Sequence, residues 1–296
     1  MIAPRKKRIL IGMLCLLFSQ IFGATTLNGE SKKSIKLLWM GTSSTNPYIV
    51  NYVDEMLNSH PNLEVSSERV RKRMNIPAMV AREREKGTVV YDKSAMTEAQ
   101  FKEKLKGKDV DYVILQVSYY AFKYDVMDGM SAKIQELCRY VQEAGATPVL
   151  FEAPVISRYY KKKYGANQKE MTELCLAVAR ENKVPVAFSG AAWDAIEKEK
   201  GNDYLVNAKG KDKGHAGPYG NFVIACSFYA TLTGESPVGA SVPKLSATLT
   251  KVKDGKSFKE ENLKEQYEAS LSEEDALHIQ KTVWEVHQQK MNLLLN

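Results

Sequence analysis

Short apolar runs alternate along the chain with longer stretches whose apolar residues recur at helical spacing, and this alternation constrains the fold most. Asp111-Tyr-Val-Ile-Leu-Gln116 is almost continuously apolar, as expected of a strand buried on both faces. Strand alternating with helix implies parallel pairing, so we predict an α/β fold, a three-layer α/β/α sandwich around a mostly parallel five-stranded sheet. The predicted strands span residues 35–40, 63–70, 111–116, 147–153 and 184–188, and the main helices 47–59, 98–105, 131–144, 167–182 and 220–232.

The N-terminal residues read as an export signal rather than as part of the fold. Arg5-Lys6-Lys7-Arg8 forms a basic segment, residues 9–22 are mostly apolar, and Gly23-Ala24 supplies small residues for cleavage. The apolar segment is short for a membrane span. We therefore expect a signal peptide over residues 1–24 and an exported protein, periplasmic or extracellular, with no stable membrane span. An uncleaved N-terminal anchor is the alternative.

Charge and cysteine content exclude some classes of partner and framework. The chain has 42 Lys and Arg against 35 Asp and Glu, and four of the basic residues lie in the signal peptide, which leaves 38 against 35. A balance this even gives no reason to expect a nucleic acid partner. Three cysteines follow the signal peptide in apolar helical patterns, where buried thiols are expected, although one disulfide among them remains open. They are Cys138, Cys175 and Cys226.

Polar residues follow three of the predicted strands at one edge of the sheet. Ser43 comes after the first strand, Gln116 and Ser118 end the third, and Asp212 and His215 follow the fifth. In open parallel sheets the functional crevice lies at the carboxyl ends of the strands. A carboxylate and an imidazole on one loop form a general-base pair, and a serine supplies the nucleophile.

Each of these residues also has a structural interpretation. Ser43 and the polar residues after it could cap the helix that begins at Pro47. Gln116 and Ser118 could equally hydrogen-bond neighbouring loops. An Asp three residues before a His also arises often by chance.

Three sequence blocks resemble the SGNH (GDSL-like) hydrolases, in particular a branch of exported bacterial SGNH-like proteins. Gly41-Thr42-Ser43-Ser44-Thr45 is similar to the first block, which carries the nucleophile. Val113-Ile-Leu-Gln116-Val-Ser118 is similar to the block on the third strand of this branch. Asp212-Lys-Gly-His215-Ala-Gly-Pro-Tyr-Gly220, with the apolar helix that follows and its Gly234-Glu-Ser-Pro237 ending, is the most specific match. The resemblance covers residues 35–237.

The resemblance implies a flavodoxin-like SGNH fold and an exported serine hydrolase that cleaves carboxylic esters, with acyl groups on carbohydrates as one substrate class. Ser43, Asp212 and His215 would form the catalytic triad. The backbone N–H of Ser43 and the side chains of Gln116 and Ser118 would bind the substrate or the oxyanion. The sequence has no cluster of metal ligands and no glycine-rich phosphate loop, so no metal and no cofactor is expected.

Two departures from the family pattern keep a second function open. Thr42 stands where the family usually has Asp or Asn, and residues 63–79 contain no glycine to match the one whose N–H helps hold the oxyanion. Loss of one such donor costs about 3 kcal/mol of transition-state stabilisation. The alternative is a catalytically impaired SGNH-like protein that acts as a glycan-binding or assembly module.

Residues 241–296 have a different composition, with charged helical patterns at 260–270 and 272–292. The second begins with Ser272-Glu-Glu-Asp275, which is typical of a helix N-terminus, and carries an apolar stripe. We expect it to pack onto the core, with a partner or oligomer contact as the alternative, and we expect His278 and His287 on its exposed side. The predicted organisation is a signal peptide (1–24), an SGNH hydrolase-like domain (31–240) and a helical C-terminal extension (241–296).

Overall fold

The computed structural model describes residues 31–70, 72–84, 94–156, 158–206, 215–243 and 271–296. The expected signal peptide, Asp212 and the helix expected at 260–270 lie outside these ranges. The fold is that of the unit Lys33–Asn296.

Five parallel strands form one sheet in the order β2-β1-β3-β4-β5. This is the strand order of flavodoxin-like sheets. Met40 of β1 pairs with Leu115 of β3, and Val117 of β3 pairs with Glu152 of β4, so these three strands end at nearly the same level. The strands are β1 (Lys33–Met40), β2 (Leu63–Arg69), β3 (Tyr112–Val117), β4 (Thr147–Glu152) and β5 (Val186–Ala187).

Helices cover both faces of the sheet, because right-handed crossovers on either side of β1 place their helices on opposite faces. The core residues of β1, β3 and β4 are therefore almost fully buried. The described helices are α1 (Pro47–Asn58), α2 (Ile76–Glu83), α3 (Glu98–Leu105), α4 (Tyr120–Lys123), α5 (Met127–Glu143), α6 (Arg158–Tyr164), α7 (Gln168–Asn182), α8 (Ser189–Lys200), α9 (Asn202–Leu205), α10 (Pro218–Thr233) and α11 (Glu273–Leu295).

The predicted fold class is confirmed. The sequence patterns predicted β1 to β5 and the helices α1, α3, α5, α7, α10 and α11, whereas α2, α4, α6, α8 and α9 were not predicted. The fifth strand is shorter than expected.

Helices α1 and α10 pack side by side and run in the same direction. Just beyond both helices, Glu235 lies 3.4 Å from Nε2 of His60, which precedes the start of β2 by three residues. Both helices therefore end at the amino edge of the sheet and begin at its carboxyl edge.

The C-terminal helix α11 packs against α10, α8 and α7. Ile279 and Val283 on its inner face are 0% and 1% exposed. His287 lies one turn further along the same face and is buried, so the expectation that it would be exposed is wrong. Burial lowers the pKa of His287 to about 4.

Two further findings concern thiols and membranes. The three cysteines Cys138, Cys175 and Cys226 are buried and free.

Within the described ranges, the helices are too short or too polar to cross a membrane.

Candidate active site

Ser43 lies at the carboxyl end of β1, in a one-turn 3₁₀ helix, Ser43–Thr45, that precedes α1. It is half-buried. Asn46 caps α1, because its Oδ1 accepts the N–H groups of Tyr48 and Ile49 at 2.9 and 3.1 Å. The capping interpretation therefore applies to Asn46, and Ser43 has no part in it.

Gln116 holds the loop that carries Ser43. Its Oε1 accepts the backbone N–H of Thr42 at 2.6 Å and the Thr42 hydroxyl at 3.2 Å. The Thr45 hydroxyl donates to the Thr42 carbonyl at 2.9 Å, which closes the turn. Thr42 is thus ordered by partners on both sides, although it departs from the family pattern. Gln116 is 1% exposed, and its Nε2 has no hydrogen-bond partner among the described residues.

Gly41 permits this close packing. A Cβ at this position would stand 2.4 Å from Oε1 of Gln116 and 2.6 Å from Cγ2 of Thr45, both far inside van der Waals contact. Its carbonyl accepts the N–H of Met74, from the segment after β2, at 2.9 Å. The segments that follow β1 and β2 and the end of β3 therefore meet around Gly41.

Ser118 follows β3 and is 1% exposed. Its hydroxyl oxygen accepts the N–H of Tyr120 at 3.3 Å, and its carbonyl accepts the N–H of Ala121 at 3.2 Å. Ser118 therefore organises the turn from β3 into α4, which is the loop-ordering role that the sequence left open.

His215 lies three residues before the start of α10 and is half-buried. Leu205 and Val206 leave α9 and run antiparallel to the segment after His215: Val206 pairs with Ala216, and the N–H of Gly217 donates to the Leu205 carbonyl at 2.8 Å. These two stems bracket residues 207–214, which lie outside the described residues and include Asp212.

Ser43 and His215 therefore stand at the starts of two adjacent parallel helices. Ser43 precedes α1 and His215 precedes α10, and both helices begin at the carboxyl edge of the sheet. Packed helix axes lie about 8–10 Å apart, so the two helix starts are neighbours at this edge. Three of the segments predicted to meet at this edge are thus found there: those carrying Ser43, Gln116 with Ser118, and His215.

A tyrosine cluster, consisting of Tyr119, Tyr120, Tyr124, Tyr160 and Tyr164, lies beyond the carboxyl ends of β3 and β4. The Tyr119 and Tyr120 rings stack at 5.2 Å between centroids, and Tyr160 contacts them at 5.1 and 5.6 Å. Tyr120, Tyr160 and Tyr164 are half-buried, so the cluster is partly open to solvent. No local sequence pattern predicts this cluster, because its members come from separate segments.

Glu152, the last residue of β4, is a second feature that the sequence did not predict. It is fully buried, and its oxygens accept hydrogen bonds from Nε2 of Gln168 at 2.8 Å, from the Thr172 hydroxyl and from the N–H of Ala191 at 3.2 Å. Burial raises its pKa to about 7. These donors come from α7 and α8, so Glu152 joins β4 to both helices.

Comparisons with known proteins identify solved structures of similar fold, but no family model and no curated relative. No protein-family model matches the sequence, and no curated protein matches it. Among solved structures, a mutant of Axe2, an acetyl-xylooligosaccharide esterase from Geobacillus stearothermophilus, is 15% identical with a TM-score of 0.51, covering 70% of this chain and 98% of that one. LAE5, an α/β hydrolase from the metagenome of Lake Arreo in Spain, is 14% identical with a TM-score of 0.48, covering 68% and 95%.

The chain has the fold of the SGNH-type esterases. The five-stranded parallel sheet with helices on both faces agrees with this result. At 15% identity the likeness extends to the fold alone. Within the described ranges, no group of three or more His, Cys, Asp or Glu side chains is placed to hold a metal ion.

Proposed function

We propose that this protein is an exported serine esterase of the SGNH type that removes acyl groups from carbohydrates. One observation carries the proposal. The loop with Ser43 and the segment with His215 lead into two adjacent helices, and both helices begin at the carboxyl edge of the sheet, where functional sites of such sheets lie. Ser43 would be the nucleophile, His215 the general base, and Asp212, three residues before it, the group that orients the imidazole.

The reaction would proceed in two balanced steps. His215 takes the proton of the Ser43 hydroxyl while the oxygen attacks the ester carbonyl, and the same proton then passes to the leaving alcohol. Water attacks the acyl-serine with His215 again as base, which releases the carboxylic acid and restores the serine. Asp212 would stabilise the imidazolium that forms in each step.

Gln116 is the proposed side-chain donor to the oxyanion. Its Oε1 is fixed by Thr42, so its Nε2 is oriented, and that donor has no partner among the described residues. A buried amide donor without a partner costs about 1–3 kcal/mol, a cost that a developing oxyanion would offset. Gln116→Glu keeps the acceptor for Thr42 and removes the donor. We expect it to lower kcat by about a hundredfold or more.

The tyrosine cluster supports a carbohydrate as the alcohol part of the substrate. Tyrosine offers an apolar ring face for the C–H groups of a sugar and a hydroxyl that can hydrogen-bond to it. The cluster lies in the segments that follow β3 and β4, and β3 is the neighbour of β1, the strand that leads to Ser43. The solved structure with a TM-score of 0.51 is itself described as an acetyl-xylooligosaccharide esterase.

The alternative is a catalytically impaired SGNH-like protein that binds glycans or takes part in assembly. One observation favours it: the N–H of Met74, in the segment that follows β2, is already bonded to the Gly41 carbonyl. That segment contains no glycine to match the family's oxyanion donor. In this alternative, the protein would bind acetylated oligosaccharides without hydrolysing them.

Ester turnover distinguishes the proposed esterase from the catalytically impaired binding protein. Wild-type protein should hydrolyse p-nitrophenyl acetate and acetylated xylooligosaccharides, and Ser43→Ala and His215→Ala should each lower kcat by at least about a thousandfold. Asp212→Asn should cost less than His215→Ala, because it disturbs the orientation of the base without removing it. Ser44→Ala, in the same 3₁₀ helix, is the matched control and should stay within a few-fold of wild type. Folded wild-type protein that binds the oligosaccharides but hydrolyses neither substrate would support the alternative.

A further inference from the structure

A carboxylate in the first turn of the C-terminal helix hydrogen-bonds to residues on either side of the segment that carries His215. Asp275, in the first turn of α11, accepts hydrogen bonds from the hydroxyls of Tyr204 at 2.7 Å and Tyr219 at 3.2 Å. Ser272, the N-cap of α11, donates to the same carboxylate at 2.7 Å. The two tyrosine rings also contact each other, with centroids 4.5 Å apart.

These tyrosines flank the two stems that bracket residues 207–214. Tyr204 lies in α9, just before the stem that leaves the core, and Tyr219 lies in the first turn of α10, just after His215. The stems themselves are joined by the pairing of Val206 with Ala216. Asp275 therefore binds the helices on both sides of the stems at once, and we call these three residues the clamp.

The electrostatics favour a charged carboxylate in this clamp. The hydrogen bond from Tyr204, followed by the one from Ser272, lowers the pKa of Asp275. Burial and the bond to Asp275 raise the pKa of Tyr204, so that it remains a donor. Hydrogen bonds to an ionised acceptor are stronger than neutral ones.

We propose that Asp275 is a positioning residue for the esterase, which fixes His215 by clamping Tyr204 and Tyr219. The inference rests on the proposed function, since it takes His215 as the general base. It gives the C-terminal extension a role in the reaction: the helix supplies the outer support of the segment that must hold the imidazole against Ser43. Misplacement of a catalytic group by about 1 Å can cost up to a hundredfold in rate.

The test compares variants that break the clamp with one that weakens α11 elsewhere. Asp275→Asn and Tyr204→Phe should each lower kcat for p-nitrophenyl acetate by about tenfold or more with KM unchanged, and Asp275→Glu should restore part of the rate. Gln280→Ala is the control. It removes the bonds from α11 to the Ala240 carbonyl (2.9 Å) and the Gly239 N–H (3.4 Å), so it should lower Tm and leave kcat of the folded protein within about twofold.

Amide hydrogen exchange separates failure of the clamp from failure of the esterase. Asp275→Asn should speed exchange in residues 204–219 and leave the strands β1, β3 and β4 protected. If wild type hydrolyses esters while Asp275→Asn and Tyr204→Phe match its kcat and its exchange, the clamp is refuted and the esterase stands. If wild type shows no turnover, the proposed function fails, and with it the positioning role, whatever the exchange shows.

Discussion

Glu152→Gln tests whether a buried acid makes this fold less stable as the pH rises. Burial raises the pKa of Glu152 from its usual 4.5 to about 7, so the folded protein holds this proton more tightly than the unfolded chain does. The resulting stabilisation is fully present below pH 4.5 and is lost as the pH rises through 7. At about 1.4 kcal/mol for each pKa unit, the full effect is about 3 kcal/mol, and roughly 2–3 kcal/mol of it disappears between pH 5 and 8.

The glutamine variant lacks this titration. It also turns one acceptor into a donor, so either the N–H of Ala191 or the donors on α7 lose a partner, at about 1–3 kcal/mol. We therefore expect the variant to be less stable than wild type at pH 5 and to approach or exceed it at pH 8.

Urea unfolding at pH 5, 6, 7 and 8 measures this, with the difference between wild type and variant as the readout. Because both proteins contain the other titrating groups, the difference in unfolding free energy cancels their contributions. Among these groups are Asp54, whose pKa burial also raises to about 7, and His287, whose lowered pKa makes stability rise with pH. Glu103→Gln, on the exposed side of α3, is the control and should parallel wild type. Parallel curves for Glu152→Gln and wild type would refute the reasoning.

Three further outcomes follow from the fold and the site. Gly41→Ala should destabilise the protein by about 2–4 kcal/mol, because its Cβ would overlap Gln116 and Thr45; an unchanged urea midpoint would contradict this packing. Tyr160→Ala should raise KM for acetylated xylooligosaccharides about tenfold and leave p-nitrophenyl acetate turnover unchanged, whereas equal effects on both substrates would exclude a sugar-binding role for the cluster. Exported protein should begin near Ala24 or Thr25 by N-terminal sequencing, and an intact Met1 would argue for an anchor.

The sequence predicted those strands and helices whose pattern of apolar residues matches the way they are buried in the fold. The third strand is apolar throughout because helices cover both of its faces, and α10 is apolar all round because α1, α8 and α11 enclose it. Helix α8 follows β5 almost at once and begins at Ser189-Gly190, where glycine is a poor helix former, and the sequence patterns did not predict it. Its start is stabilised by Glu152, a residue far away in the sequence.

In the candidate site, too, the sequence predicts residues that follow a local pattern and does not predict contacts between distant segments. Ser43 and His215 could be proposed from their position after predicted strands, and the role of Gln116 in holding Thr42 follows only from three-dimensional contact. The tyrosine cluster and the Asp275 clamp each combine residues from separate helices, so no local pattern records them. The burial of His287 could have been predicted, since Ile279, Val283 and His287 share one helical face.

Labelling with a fluorophosphonate tests the central claim most directly, because the probe reacts with an activated serine whatever the natural substrate is. Peptide mass spectrometry of labelled wild type should place the adduct on Ser43. Labelling should be lost in His215→Ala and preserved in Ser44→Ala. An adduct on another residue, labelling of Ser43 that survives His215→Ala, or no labelling of folded protein would contradict the claim that Ser43 and His215 form the catalytic pair.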